Sequence, residues 1–217
     1  MPRSSASLSE PAYQYLLDAI LNGEMSPGDR VSEAAIAERF HISRTPVRDA
    51  MRRLANEGLI EIFPNRFAQV AVYTPEHIHE TGVIRLTLDR LAVRLALIYG
   101  SHADFLALRR LAEQCRDASL TGDYALQHKY DSDFHMKLTR ISGNAQLLTL
   151  QEELYLRTRF IMAHYPHALI DEKKQVQDHL DIADALMAQD KPRALDCITD
   201  NLMSFYDLHR AFPIELY

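Results

Sequence analysis

Three arginines recur at every fourth position in the stretch from residue 43 to residue 58 of this 217-residue chain. Arg44, Arg48 and Arg52 fall on one face of a helix, because side chains four residues apart lie one above the other. The apolar residues of the same stretch follow the spacing of a core-facing stripe: Val47, Ala50, Met51 and Leu54. Arginine on an exposed helical face suits an anionic partner, and its guanidinium can donate two hydrogen bonds to guanine O6 and N7. The alternative is a solvated helix whose arginines only keep it soluble.

A second set of chemically capable side chains lies on faces that should be apolar. Asp131 and His135 are four residues apart on one amphipathic segment, and His179 and Asn201 occupy the apolar faces of two others. Buried polar groups need partners, so these four either hydrogen-bond to one another or hold an ion. An aspartate and a histidine on one helix face suit mixed nitrogen and oxygen sites for Zn, Ni or Mn. From the spacing alone, a metal site and a hydrogen-bonded core network both remain open.

Arg85 is a further polar residue at the edge of an apolar stripe, because it is in helical register with Leu88, Ala92 and Leu95. One interpretation is a salt bridge with Asp89 four residues later, which would contribute little to stability at the surface.

The elements that must position the arginines are three short helices and a hairpin. Apolar spacing predicts a helix around residues 13–20, a second one capped by Ser32 and then the arginine helix. A short extended piece at residues 30–31 precedes the second helix. Apolar residues alternate in 59–63 and 67–73 on both sides of a polar turn, which predicts a two-stranded hairpin. This is the order of a winged helix-turn-helix, whose third helix enters a DNA major groove.

The remaining residues show helical periodicity and no strand pattern. We predict helices at 76–98, 102–119, 123–141, 145–164, 172–189 and 191–210. The predicted fold is therefore mostly α, with a winged helix-turn-helix over residues 1–75 followed by an all-helical bundle over residues 76–217. Helical bundles place their ligand and metal sites in the interior, so the second domain is the expected effector-binding and dimerisation domain.

Composition limits the class of protein. Apolar residues make up 47% of the chain and charged residues 25%, which is enough apolar surface for a core. No run of apolar residues is long enough to span a membrane, and the first residues lack a signal-peptide core, so we expect a cytoplasmic protein. The cysteines, Cys115 and Cys197, lack metal-type spacing and suit a reducing compartment. The net charge is −6, but residues 43–53 carry a net +3, so DNA binding would depend on local geometry.

Residues from about 10 to 73 resemble the GntR family of bacterial transcription regulators. The resemblance is carried by Pro27-Gly28-Asp29-Arg30-Val31-Ser32-Glu33, by Ile36-Ala37-Glu38-Arg39-Phe40 and by Ile42-Ser43-Arg44-Thr45-Pro46-Val47-Arg48-Asp49-Ala50. The resemblance implies that Arg44 and Arg48 read bases and that Thr45 and nearby groups hold phosphates. The predicted DNA-binding residues are Ser43, Arg44, Thr45, Arg48, Arg52, Arg53 and Arg66. At the wing tip, the family usually has Arg-Gly, whereas here Arg66 is followed by Phe67.

The second domain resembles the FadR-type ligand-binding domain, the FCD domain. The matching motifs are Asp131-x-x-Phe134-His135, Ser142-Gly143-Asn144 and His179-x-x-Ile182. The resemblance implies a divalent metal held by Asp131, His135 and His179, with Asn201 where metal-binding members have another histidine. It further implies that Arg85 binds a small organic or sugar acid beside the metal. His128, one helical turn before Asp131, is a second candidate for effector binding.

These features favour a ligand-responsive transcription regulator that binds a palindromic operator as a homodimer. A two-fold dimer would present two arginine helices to half-sites about one DNA turn apart. The rival class is a metal-dependent hydrolase built on Asp131, His135 and His179, but no separate general base is well placed, so we expect no enzyme. A third possibility is a pure metal sensor, in which the ion itself is the signal.

Overall fold

The computed structural model describes residues 5–64, 66–165, 172–206 and 208. Its elements in chain order are α1 (Ser5–Leu21), β1 (Arg30–Val31), α2 (Glu33–Phe40), α3 (Arg44–Asn56), β2 (Ile60–Phe63), β3 (Phe67–Val70), α4 (Pro75–Tyr99), α5 (His102–Thr121), α6 (Tyr124–Ile141), α7 (Ala145–His164), α8 (Glu172–Met187) and α9 (Lys191–Phe205). The chain divides into two compact units. The first contains residues up to Tyr73 together with Ala163–Tyr165, and the second contains the rest.

The helix-turn-helix of the first unit is formed by α2 and α3. The Ser32 hydroxyl caps α2 by accepting a hydrogen bond from the Ala35 amide at 3.3 Å. His41 ends α2 in the left-handed conformation, with φ of 54°, so the chain turns tightly into α3. The apolar stripe predicted for α3 is buried: Val47, Ala50, Met51 and Leu54. Burying each of the larger side chains stabilises the unit by about 1.5–3 kcal/mol, which fixes the face that α3 leaves exposed.

The wing is an antiparallel sheet in the strand order β1-β3-β2. The predicted hairpin is formed by β2 and β3, in a register that places Ile60 opposite Val70. The extended piece at residues 30–31 adds a third strand, because Val31 lies opposite Ala68 on the far side of β3. Two residues are too few for a period-two pattern to be recognised, so the sequence indicates only an extended segment there.

The second unit contains α4 to α9, with the end of α7 assigned to the first unit. Its helices begin within one residue of their predicted starts, because the sequence carries clear caps. Capping boxes open α4 and α5, at Thr74 with His77 and at Ser101 with Asp104. Fully buried aromatic and leucine side chains form its core: Leu86, Phe105, Leu108, Phe134, Leu138 and Phe160. Among the described residues, no helix combines the length and apolarity required to cross a membrane.

Gly82 marks a close approach between α4 and the end of α9. A Cβ atom at this position would lie 2.6 Å from the Cβ and Cγ atoms of Tyr206, far inside van der Waals contact. The glycine therefore allows the Tyr206 ring to lie against α4, one helical turn from Arg85. This approach helps to position the tyrosine hydroxyl in the interior of the unit.

Candidate functional sites

The predicted metal ligands meet in the interior of the helical unit. Asp131 and His135 lie one turn apart on α6, and His179 lies on α8; they are 7%, 3% and 1% exposed. The Nε2 atom of His179 lies 3.2 Å from Asp131 Oδ1 and 3.3 Å from His135 Nε2. Ligands about 2.1 Å from one ion, at angles of about 90–110°, would be separated by about 3.0–3.4 Å. Two of the donor separations fall in this range, and the ligand atoms of all three residues lie within 4.8 Å of one another, so the cluster is a candidate divalent-metal site.

The protonation states also suit metal binding. Burial acts to raise the pKa of Asp131, but the hydrogen bond with His179 and the nearby charge of Arg85 outweigh it and hold this pKa well below its usual range. Burial lowers the pKa of His135, and Arg85 lowers it further. At neutral pH the carboxylate is ionised and the His135 imidazole is neutral, which are the forms that bind a metal. Two Nε2–H groups cannot face each other, so at least one of the two imidazoles directs a lone pair into the site.

Asp89 is a buried carboxylate beside this centre. Its Oδ2 atom lies 3.2 Å from His135 Nδ1, and this contact is electrostatic because the two atoms do not form a hydrogen bond. A carboxylate next to Nδ1 favours the tautomer with its proton there and leaves Nε2 free as a metal ligand. The sequence indicated Asp89 only as a surface partner for Arg85. Its contact with His135 joins α4 to α6 and leaves no signal in local spacing.

Arg85 lies within a buried polar network and is 4% exposed. Its Nε atom is 3.6 Å from Asp89 Oδ2, and its Nη1 donates to the Tyr206 hydroxyl at 3.3 Å. Gln151 donates to the other Asp89 oxygen at 2.7 Å, and the Thr158 hydroxyl lies 3.5 Å from that of Tyr206. Asp89 therefore contacts both Arg85 and the metal-ligand candidate His135. No sequence pattern indicated Gln151, Thr158 or Tyr206, which lie on or beside other helices.

A small cavity of about 10 Å³ adjoins Arg85 and His135. It is lined by Arg85, Ser132, His135, Met136, Gln151, Leu154, Tyr155 and Thr158. This volume accommodates about one water molecule, so a bound carboxylate would require the lining to move apart. His128 is half-buried on α6 and does not line this cavity, and its part in effector binding stays a prediction. Asn201 is 2% exposed on α9 and its Nδ2 atom has no hydrogen-bond partner among the described residues, but its place as a ligand likewise stays a prediction.

The exposed face of α3 carries the predicted DNA-binding side chains. Ser43 makes no side-chain cap, and Ser43, Arg44 and Thr45 are exposed at the start of the helix. The Arg48 and Arg52 side chains are 51% and 66% exposed. A groove of about 780 Å³ lies between this face and the wing. The groove is lined by basic side chains from both sides: Arg30, Arg48, Arg52 and Arg66.

Arg53 differs from the other arginines of α3 because it makes contacts within the unit. It pairs with Glu10 at 3.1 Å and with Glu57 at 3.2 Å, and its Cζ atom lies 3.6 Å from the centre of the Tyr13 ring. These contacts give Arg53 a packing role between α1 and α3, and its part in DNA binding stays a prediction.

Phe67 fills the wing position at which the family usually has glycine. Its ring centre lies 4.6 Å from that of Phe63, and Arg30 lies over it at 3.7 Å. Arg66 is exposed beside it. Arg30, stacked on the Phe67 ring, and the exposed Arg66 therefore place two positive charges at this edge of the groove.

Comparisons with known proteins match both units. Residues 8–70 match the model for bacterial regulatory proteins of the gntR family, and residues 80–203 match the FCD domain. The chain is 29% identical over 143 residues to the uncharacterised HTH-type transcriptional regulator YdhC of Bacillus subtilis, covering 65% of this chain and 64% of YdhC. It is 31% identical over 135 residues to the Nta operon transcriptional regulator of Aminobacter aminovorans, covering 62% and 63% of the two chains.

Each of these two matches spans slightly less than two thirds of the relative's length. The fold is that of the Escherichia coli protein McbR/YncC, with a TM-score of 0.77, 23% identity and coverage of 95% of this chain and 99% of that one. The family matches therefore cover both compact units and agree with the order of their elements. The chain belongs to the GntR family of bacterial regulatory proteins, with a C-terminal FCD domain.

Proposed function

We propose that this protein is a ligand-responsive regulator whose operator binding is modulated by a small carboxylate bound beside a divalent metal. The observation that carries the proposal is the position of Asp89, whose Oδ2 atom contacts both Arg85 and His135. Asp89 is therefore a buried anion shared by Arg85, the cationic group proposed to bind the carboxylate, and by His135, a candidate metal ligand. Zn, Ni or Mn would suit the nitrogen and oxygen donors, held by Asp131, His135 and His179. Asn201 is the proposed additional ligand.

The DNA-binding face is proposed to be α3 with the edge of the wing. Arg44 and Arg48 would contact base edges, while Ser43, Thr45 and Arg52 would hold phosphates. Arg66 would reach the backbone or the minor groove from the wing. Such a regulator would act in the cytoplasm, where its operator is located.

A homodimer is supported by an apolar stripe on α4. Ile84, Leu91 and Ile98 are 51%, 40% and 69% exposed, and they recur every seven residues. This spacing places them on one helical face, as in helices that pair with another helix. A two-fold dimer would present two α3 helices to a palindrome, with half-sites about one DNA turn apart. Effector binding would act by favouring one arrangement of the two DNA-binding units, which requires different affinities for the effector in the two states.

The direct test is operator selection from a randomised duplex library by the wild-type chain, followed by binding measurements on the selected duplex. Binding is measured with metal-loaded and chelator-stripped protein, each with and without a panel of small carboxylates. The proposal predicts a palindromic selected site and a change in affinity that needs both metal and acid. Selection of no sequence, or a selected sequence without symmetry, would contradict the DNA-binding part.

A pure metal sensor is the second candidate, favoured by the cavity of about 10 Å³ beside Arg85. If the lining does not open, no carboxylate can enter and the ion alone would be the signal. DNA affinity would then follow the metal concentration and would be unchanged by every acid in the panel. The hydrolase alternative is not supported, because the family comprises regulators.

A further inference from the structure

Arg48, one of the proposed base-reading residues, is held by a carboxylate from the preceding helix. Glu33 is the first residue of α2 and follows the Ser32 cap that begins the helix. Its two oxygens accept hydrogen bonds from Arg48, at 3.1 Å from Nε and at 2.9 Å from Nη2. The two residues are 15 positions apart, so the pair links the two helices of the helix-turn-helix.

The pairing uses one edge of the guanidinium and leaves the other edge available. A guanidinium has five N–H donors, and the Nε and Nη2 bonds to Glu33 occupy the side edge. The two Nη1 hydrogens and the second Nη2 hydrogen remain. The end edge, formed by Nη1 and Nη2, carries the parallel pair of donors that matches guanine O6 and N7. A carboxylate on the side edge therefore fixes the plane of the group without blocking base contact.

The pair is at the surface, so its effect on folding is expected to be small. The side chains of Arg48 and Glu33 are 51% and 30% exposed, and exposed ion pairs contribute little to stability. The hydrogen bond from Arg48 lowers the pKa of Glu33, so the carboxylate is ionised at neutral pH. An arginine that is already ordered loses less side-chain entropy when it docks on a base. The contact thus bears on recognition more than on stability.

We propose that Glu33 is a positioning residue for sequence-specific DNA recognition, presenting the end edge of Arg48 to a guanine. This inference rests on the proposed binding of DNA through α3. Glu33 also places a negative charge near the phosphates, which disfavours complexes in which Arg48 merely neutralises the backbone. The residue therefore weakens binding to unrelated DNA while strengthening discrimination between sequences.

The test uses the full chain and the duplex that wild-type protein selects from a randomised library. Affinity is measured by fluorescence anisotropy for that duplex, for a panel with each base pair changed in turn and for one unrelated duplex. The variants are Glu33→Gln, Glu33→Ala, Arg48→Ala and the double variant Glu33→Ala with Arg48→Ala. Glu38→Gln is the matched control, because Glu38 is an exposed residue of the same helix and loses the same charge. Thermal melts of every variant verify that the fold is intact.

We expect Glu33→Gln to lower the ratio of selected to unrelated affinity by about tenfold, with the affinity for the unrelated duplex equal or higher. The loss of base preference should occur at the same base pairs at which Arg48→Ala loses preference. The double variant should lose no more of the affinity ratio than Arg48→Ala alone. Glu38→Gln should leave the ratio unchanged. An equal change on every duplex, or a Glu38→Gln effect as large as that of Glu33→Gln, would show that Glu33 acts only through its charge and would overturn the inference.

Failure of the proposed function has a different signature. Wild-type protein would then select no sequence, and no ratio would exist to compare. A wild-type protein that selects a site, with Glu33→Gln keeping its base preferences, would refute the positioning role alone.

Discussion

Asp89→Asn tests whether one buried carboxylate serves both Arg85 and the metal centre. The substitution keeps the shape of the side chain and an oxygen that can accept the 2.7 Å bond from Gln151. It removes the negative charge that lies 3.6 Å from Arg85 Nε and 3.2 Å from His135 Nδ1. Arg85, at 4% exposure, is then a buried cation without its nearest counter-charge.

The magnitude follows from the burial of the pair. Removing one partner of a buried ion pair costs about 3–5 kcal/mol, because the other charge stays desolvated. In a chain of this size each kcal/mol shifts the melting temperature by about 2–4 °C, so we expect a fall of roughly 6–20 °C. Loss of the carboxylate beside a metal-binding histidine should also weaken metal binding by about 10–100-fold.

The assays are a thermal melt of the stripped protein and calorimetric titration with Zn or Mn. Asp117→Asn is the control, since Asp117 forms a surface pair with Arg116 and its side chain is 65% exposed. This control should change neither quantity appreciably. A shift of about 2 °C corresponds to no more than about 1 kcal/mol in a chain of this size. If Asp89→Asn melts within that range of the control and binds metal as tightly as wild type, Asp89 does not serve both Arg85 and the metal centre.

Two further substitutions probe the packing and the assembly. Gly82→Ala places a methyl group 2.6 Å from Tyr206, so it should lower the free energy of unfolding of the helical unit by about 1–3 kcal/mol, measured by denaturant unfolding. An unchanged midpoint would show that the Tyr206 side chain can move aside without loss of stability. Leu91→Glu puts a charge at the centre of the exposed α4 stripe and should convert the proposed dimer to a monomer in analytical ultracentrifugation, whereas Leu120→Glu, at another exposed leucine on α5, should not. A dimer that survives Leu91→Glu would place the interface elsewhere.

The sequence predicted those features whose signal lies within one helix. The stripe of Arg44, Arg48 and Arg52 and the pair of Asp131 with His135 follow from helical spacing alone, and the structure puts the first on the surface and the second in the interior. The starts of α4 to α9 were predictable because caps are local chemistry, whereas α1 begins at Ser5, before the predicted start near residue 13.

The features that the sequence did not predict depend on contacts between helices. Asp89 looked like the partner of a surface arginine, since spacing cannot show that α6 brings His135 to the same carboxylate oxygen that Arg85 contacts. Glu33 and Arg48 both lie in motifs that indicate the family, yet nothing in their separation of 15 residues indicates a bond between them. Tyr206 reaches Arg85 from 121 residues away, through a gap that Gly82 leaves open.

The proposed effector site is tested by a thermal-melt screen of small carboxylates on metal-loaded and on chelator-stripped wild-type protein. A ligand present at 100 times its Kd stabilises the folded state by about 2.7 kcal/mol, which corresponds to a rise of roughly 5–11 °C. We expect one class of acid to produce such a rise with the loaded protein and none with the stripped protein. If stripping leaves the melt unchanged and no acid shifts it, the cluster of Asp131, His135 and His179 is a hydrogen-bonded core network, and the proposed effector site is wrong.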